Sequence, residues 1–218
     1  MPKHLQNDLE RLKKAVLDIG TMVEEALSNA ITALSKRDRV LAELIIDGDH
    51  EIDRKEVLIE DDCLKILALH QPVAKDLRYV VAVLKLNNDL ERVGDLAVNI
   101  AQRALSLTSM EPVLIPDDLF LMAQKAKEMV KRSFDSLIES DSHLATGVCA
   151  ADDEVDDLHR KLFAVLQERI KKSPERMEQY VHLLSVTRYL ERIADQATNI
   201  AQDVIYMVEG EVVRHHGK

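Results

Sequence analysis

A thirteen-residue segment occurs twice in this chain, 100 residues apart, and it constrains the fold more than any other feature. Residues 90–102 read LERVGDLAVNIAQ, and residues 190–202 read LERIADQATNIAQ, with nine identical positions and no gap. The identical positions include four polar pairs: Glu91/Glu191, Arg92/Arg192, Asp95/Asp195 and Asn99/Asn199. A repeat retained for packing alone would keep its apolar positions and vary its carboxylates. The segment therefore indicates a chemical role as well as a fold.

The spacing of apolar residues around the first copy is that of an amphipathic helix. From Val83 to Leu107 the apolar positions recur at alternating steps of three and four, which is a heptad seam. The same period predicts six helices, at residues 5–35, 39–69, 73–107, 117–139, 142–170 and 175–208. Asp38 and Asp141 are expected to cap the helices that follow them. Pro72 and Pro174 stand where a helix restarts after a turn.

The repeat extends beyond the motif and divides the chain into two halves. With a shift of 103 residues, Asp38, Leu41, Ala42, Asp49, Glu51 and Asp53 fall on Asp141, Leu144, Ala145, Asp152, Glu154 and Asp156. Residues 109–116 contain two prolines and form the expected linker. We therefore predict a first three-helix repeat at 1–108 and a second at 117–218. The predicted fold is all-α, with two tandem antiparallel three-helix bundles.

Composition excludes several classes of protein. The formal net charge is −10 without basic runs, which argues against nucleic acid binding because phosphate contacts need clustered Lys and Arg. No apolar run approaches the roughly 20 residues of a membrane span, and the polar start is not a signal peptide. Cys63 and Cys149 are far apart in the sequence and are predicted to be buried thiols in a reducing compartment. A soluble cytoplasmic protein is expected.

Four carboxylate pairs share a spacing of four residues. They are Asp49/Asp53, Glu91/Asp95, Asp152/Asp156 and Glu191/Asp195. On a helix, positions i and i+4 lie on one face, and two like charges there repel by about 0.2–0.5 kcal/mol. A bound cation would reverse that sign.

The pairs should also meet across the helical hairpins. Residues equidistant from an interhelical turn face one another in an antiparallel pair. This rule matches Asp53 with Glu91, Asp49 with Asp95, Asp156 with Glu191 and Asp152 with Asp195. Each bundle would thus carry four carboxylates at one level. Helical periodicity places Glu91 and Asp95 away from the apolar seam, so the clusters should lie at the bundle surface.

Oxygen ligands without sulfur favour hard cations such as magnesium, calcium, manganese or iron, and zinc remains compatible. Neighbouring polar residues suited to orient the ligands are Asn88, Asn99, Asn199, Arg92 and Arg192. His50 is a weaker ligand candidate, and His215 and His216 are expected to belong to a C-terminal tail.

The alternative interpretation of the acidic residues is a solvated acidic face. Glu56 and Glu60 extend the acidic stripe only in the first half, since their counterparts are His159 and Phe163.

Two three-helix repeats with the motif Leu-Glu-Arg-[Val/Ile]-x-Asp-x-Ala-x-Asn-Ile-Ala in both third helices resemble the PhoU family over essentially the whole chain. The resemblance implies tandem three-helix bundles with multinuclear metal clusters at the E(D)xxxD motifs. Carried onto this sequence, those motifs fall on Asp49, Asp53, Glu91, Asp95, Asp152, Asp156, Glu191 and Asp195. The metal would be iron, zinc, manganese or magnesium.

The resemblance also implies a regulatory role without catalysis. PhoU-like proteins are cytoplasmic negative regulators of phosphate uptake and of the phosphate-starvation response. They couple the ATPase subunit of the phosphate ABC transporter to a sensor histidine kinase. The long amphipathic helices make a homodimer a reasonable expectation.

Other functions remain open at this point. The chain could regulate another transporter through its PhoU domains, or act as a carboxylate-bridged metalloenzyme, or be a helical scaffold with solvated acidic faces. No nucleotide-binding loop, GxSxG or HExxH motif is present, and the outward clusters lack an evident general base or enclosing lid. We therefore expect no enzymatic activity.

Overall fold

A computed structural model of the chain describes residues 3–210. All regular structure in that range is helical: α1 Lys3–Lys36, α2 Arg39–His70, α3 Ala74–Thr108, α4 Asp117–Glu139, α5 Ser142–Lys172 and α6 Met177–Glu209, with a short 3-10 helix at Pro174–Arg176. The predicted all-α fold is confirmed, and each predicted helix boundary agrees to within two residues. His215 and His216 lie outside the described residues.

The two repeats begin their second helices with the same cap. An Asp38 side-chain oxygen accepts a hydrogen bond from the backbone N–H of Leu41 at 3.0 Å, and Asp141 does the same for Leu144 at 3.0 Å. Both caps confirm the prediction and satisfy an N–H that has no partner within the helix. Pro174 opens the 3-10 helix before α6, whereas α3 begins two residues after Pro72.

The three helices of each half pack against one another, and the halves join where α3 packs against α6 and α1 against α4. The predicted seam from Val83 to Leu107 is buried throughout. Burial on α3 is wider than that seam, because the consecutive residues Leu96, Ala97 and Val98 are all buried. Consecutive helical residues point in different directions, so α3 is covered on more than one side. The buried side chains form one continuous core through both bundles.

Polar contacts tie the halves and the linker together. Lys85 on α3 lies 3.3 Å from a carboxylate oxygen of Asp203 on α6, and the Asp203 side chain is only 4% exposed. A carboxylate buried to that degree needs a partner, since desolvation of an isolated charge is costly. Arg37 donates hydrogen bonds to the backbone carbonyls of Leu107 and Met110, which holds the start of the linker against the end of α1.

Two glycines test this packing because their surroundings differ. A Cβ at Gly20 in α1 would overlap the buried ring of Phe134 in α4, whereas a Cβ at Gly48 in α2 would meet open space. We expect Gly20→Ala to lower the free energy of unfolding by about 1–3 kcal/mol through overpacking. Gly48→Ala should raise it by roughly 0.5–1 kcal/mol, because alanine loses less backbone entropy in a helix. Urea unfolding measures both.

The test depends on the opposite changes in the free energy of unfolding that are expected for these two variants. Phe134→Leu should recover part of the loss when combined with Gly20→Ala, because leucine has no ring at that contact. Equal stabilisation by both alanines would contradict the close approach of α1 to α4.

Candidate metal centre

The first carboxylate cluster consists of Asp49 and Asp53 on α2 with Glu91 and Asp95 on α3. The pKa of Asp49 is raised above its usual range by burial first, and then by repulsion from Asp53 and Asp95. Burial and the charge of Asp53 likewise raise the pKa of Asp95. Asp53 and Asp95 lie on different helices, so the repulsion shows that the hairpin brings the two pairs together.

The second carboxylate cluster repeats this arrangement on α5 and α6 with Asp152, Asp156, Glu191 and Asp195. Burial raises the pKa of Asp152, and the charges of Asp195 and Asp156 raise it further. The pKa of Asp195 is raised by burial, by Glu191 on its own helix and by Asp156 across the hairpin. All eight carboxylates singled out in the sequence therefore fall into two groups of four, one in each repeat.

Both clusters lie at the surface of their bundles. Asp53, Asp95 and Asp195 are exposed, and the other five carboxylates are partly buried. Each pair nevertheless sits beside a buried residue of the same helix, such as Val93 next to Glu91 or Val155 next to Asp156. This position gives the carboxylates access to solvent ions while partial burial removes some of their hydration.

The clusters carry little compensating positive charge. Across residues 3–210, only Asp156 among the eight has a basic nitrogen within 4.0 Å, and its partner Arg160 is 3.9 Å away. Arg92 and Arg192 weakly offset the raised pKa values of Glu91 and Asp195 without forming ion pairs. Each cluster is therefore a concentration of negative charge of the kind that a cation stabilises.

The side chains of each cluster do not converge on one point. No group of three or more His, Cys, Asp or Glu side chains in the described part of the chain is arranged to hold a metal ion. A cation would therefore require rotation of these side chains on their helices. The donor set itself, which is entirely carboxylate oxygen, fits hard divalent or trivalent ions.

His50 does not face the first cluster. Its Nδ1 lies 2.7 Å from the backbone oxygen of Asp47, and its Nε2 lies 3.2 Å from a carboxylate oxygen of Glu51, so both nitrogens contact its own helix. Its nearby charge still lowers the pKa of Asp49 slightly against the larger effects of burial and repulsion.

Two residues beside the clusters were not expected from the sequence. Asn87 is buried and its Nδ2 donates to the backbone oxygen of Glu56 at 2.8 Å, which links α3 to α2 just beyond the first cluster. The neighbouring hydroxyl of Thr198 lowers the pKa of Asp152 against the larger effect of burial. The two copies of the motif differ at this position, because the first repeat has Val98 where the second has Thr198. That difference could have indicated Thr198 from the sequence.

Comparisons with known proteins agree with this architecture. A family model described as "PhoU domain" matches residues 16–104 and 119–204, one match in each half. Among curated relatives, a "Phosphate-specific transport system accessory protein PhoU homolog" of Aquifex aeolicus is 41% identical over 211 residues, which is 97% of this chain and 96% of that protein. A protein of the same name from Clostridium acetobutylicum is 36% identical over 97% of both chains.

Solved structures are similar in the same way. The crystal structure of PhoU from Pseudomonas aeruginosa superposes with a TM-score of 0.92 at 31% identity, covering 94% of this chain and 99% of that one. The phosphate transport system regulatory protein PhoU from Streptococcus pneumoniae superposes with a TM-score of 0.87 at 30% identity, covering 96% and 99%. Among the described helices, none combines the length and the apolar character that a membrane span requires.

Neutralising one acid per cluster tests the repulsion directly. In metal-free protein, we expect Asp95→Asn and Asp195→Asn each to raise the free energy of unfolding at pH 7 by about 0.2–0.5 kcal/mol, the usual cost of a like-charged pair. The folded state holds protons at these positions to a higher pH than the unfolded chain does. Their contribution to the free energy of unfolding therefore decreases as pH rises through the range in which carboxylates titrate. Each variant should show a smaller decrease over that range.

Thermal or urea unfolding in chelator between pH 4 and pH 7 measures this. Glu111→Gln in the linker is the matched control, because Glu111 is exposed and belongs to neither cluster. A loss of stability at pH 7 in both cluster variants would show that the carboxylates do not repel one another.

Proposed function

The chain belongs to the PhoU family, and we propose that it is an accessory protein that regulates phosphate transport. The proposal is supported by curated relatives of that name, which match 97% of the chain at 36–41% identity. Both halves contain a PhoU domain match, so the likeness is not confined to one bundle. The observation that carries the proposal is this likeness to accessory proteins over both halves of the chain.

In detail, the protein is a cytoplasmic adaptor that negatively regulates phosphate uptake and phosphate-starvation signalling. It couples the ATPase subunit of the phosphate ABC transporter to the sensor histidine kinase of the phosphate regulon, and it acts as a homodimer. An adaptor with two macromolecular partners needs free surface apart from its metal sites. Exposed apolar side chains on α2 and at the start of α3 offer such surface: Val40, Leu44, Leu58, Leu69, Val73 and Leu77.

Metal ions bind at the two clusters and stabilise the fold, while other helical faces meet the partners. The first cluster would use Asp49, Asp53, Glu91 and Asp95, and the second would use the four carboxylates of α5 and α6. Iron, zinc, manganese or magnesium would neutralise the clustered charge and hold the two helices of each hairpin in one register. The chain contributes the oxygen donors and the helical frame that sets their spacing.

The role is one of binding and not of catalysis. The curated relatives are named accessory proteins, and the structural neighbour from Streptococcus pneumoniae is described as a regulatory protein. The clusters are open to solvent, whereas hydrolytic metal sites exclude bulk water around the reacting atoms. Assays of the metal-loaded protein on phosphate esters and on peroxide should give turnover no higher than that of the Asp95→Ala variant.

Metal occupancy is the first test of the site. Protein purified without a tag should contain two or more equivalents of one metal per chain by elemental analysis. Chelation should lower the melting temperature, because a ligand that binds only the folded state stabilises it, by about 2.7 kcal/mol per site at a hundredfold excess over Kd. Absence of metal together with an unchanged melt would contradict the metal sites but leave the family role untouched.

Partner binding separates two roles for the clusters. Asp95→Ala and Asp195→Ala together should reduce metal content, while binding of the transporter ATPase subunit survives within about threefold, because other helical faces make the contact. Glu111→Ala is the control for the loss of exposed acidic charge. If ATPase binding is lost while the fold and melting curve persist, the acidic face itself is the docking surface.

A further inference from the structure

We propose that the groove between α5 and α6 is the surface on which the outer face of α2 from a second copy of this chain docks. This inference rests on the homodimer of the proposed function and specifies its contact. We define the α5–α6 groove by residues that line it, which are His159, Arg160 and Phe163 on α5 with Val181, Leu184, Arg188 and Glu191 on α6. We define the α2 face by Val57, Glu60, Leu64 and Ala68.

The α5–α6 groove is lined by apolar side chains, and Arg188 lies beside them together with Glu191, a carboxylate of the second cluster. Its volume is about 460 Å3. Phe163 is 46% exposed and Val181 is 47% exposed, which is high for large apolar side chains facing one another across a hairpin. Arg188 is exposed and forms no ion pair with any acid in the described residues. An aromatic side chain next to an unpaired arginine is the composition that protein interfaces favour.

The equivalent surface of the first repeat has the opposite charge. The shift between repeats places Glu60 at the position of Phe163, Glu56 at that of His159 and Asn88 at that of Arg188. The apolar floor is retained, since Leu84 corresponds to Leu184. The two repeats thus present acidic and basic versions of one surface, a difference that packing within each bundle does not require.

The α2 face offers exposed apolar side chains and a charge opposite to that of Arg188. Val57 is 59% exposed and Leu64 is 52% exposed, and their spacing of seven residues places them on one side of the helix. Glu60 lies between them and makes no ion pair within the described range. An amphipathic helix with an acidic residue amid its apolar stripe is a suitable occupant for a groove between two helices that is edged by arginine.

Docking would bring Glu60 of one copy beside Arg188 of the other and cover the Phe163 ring with Val57 and Leu64. A symmetric dimer makes each such contact twice, once in each direction, because every copy carries both surfaces. Two unpaired charges of opposite sign would be satisfied per contact, and four exposed apolar side chains would leave water. The net charge of −10 on each chain opposes association, so the contact must depend on this local complementarity.

Charge exchange between copies tests the contact. Dimerisation is measured by light scattering and sedimentation over a series of protein concentrations. We expect Arg188→Glu and Glu60→Arg each to weaken the dimer at least about tenfold, because like charges would meet. An equimolar mixture of the two variants should recover a dimer within about threefold of the parent Kd, since the mixed pair restores opposite charges at both contacts. Lys14→Glu, on an exposed site of α1, is the control for net charge.

The apolar part has its own variant. Phe163→Glu should weaken the dimer at least about thirtyfold, as expected for an aromatic side chain at the centre of an interface. Leu114→Glu is the matched control, because Leu114 is also apolar and exposed but lies in the linker. Circular dichroism melts verify that every variant folds.

The outcomes separate this contact from the proposed function. A parent protein that stays monomeric at all concentrations overturns both the contact and the homodimer, while metal content and binding of the ATPase subunit remain separate measurements. A parent dimer that resists all three variants, or a mixture that fails to recover the dimer, overturns the contact alone. Recovery in the mixture, with both controls unchanged, supports it.

Discussion

The packing of α3 against α6 is the constraint on which the rest of the molecule depends. These two helices carry both copies of the repeated motif, and each also packs against the two other helices of its own bundle. A helix covered on several sides needs small side chains where another backbone approaches closely. The buried alanines Ala97, Ala101, Ala197 and Ala201 occupy equivalent places in the two copies. The apolar half of the repeat is therefore explained by packing.

The polar half of the repeat has a different cause. Glu91 and Glu191 point away from the shared core, as do Asp95 and Asp195, and a solvated face would tolerate many residues at these positions. The fold brings them instead beside the acids of α2 and α5, and burial first, followed by repulsion between neighbouring carboxylates, raises the pKa of Asp95 and Asp195. A protein that only needed solubility would gain nothing from such repulsion. Binding of cations gives the arrangement a physical reason, and it uses the same helices that hold the bundles together.

Local rules predicted the features that depend on local sequence. The helix boundaries, the caps at Asp38 and Asp141 and the grouping of acids across each hairpin follow from periodicity, capping chemistry and the position of one turn. The all-α fold and the PhoU family followed from the internal repeat and its motif. The assignment of metal to the eight carboxylates stays a prediction, because ion binding depends on side-chain rotation that sequence spacing does not determine.

Long-range features could not be predicted in this way. Periodicity marks an apolar stripe on α3 but does not say which helix covers its second buried side. Lys85 and Asp203 are 118 residues apart, and Arg37 reaches the linker from the end of α1, so neither contact leaves a local pattern. The opposite charges of Glu60 and Arg188 were visible in the sequence. Their importance could be recognised only from the structure, which shows how exposed the surrounding side chains are.

We propose that the two carboxylate clusters hold metal ions in the folded protein. Anomalous diffraction from crystals of the untagged protein, with data collected on both sides of the absorption edge of the metal found by elemental analysis, tests it most directly. Anomalous peaks are expected in both repeats, one set among Asp49, Asp53, Glu91 and Asp95 and the other among Asp152, Asp156, Glu191 and Asp195. Peaks located away from these carboxylates, or none in protein whose metal content is established, would contradict it.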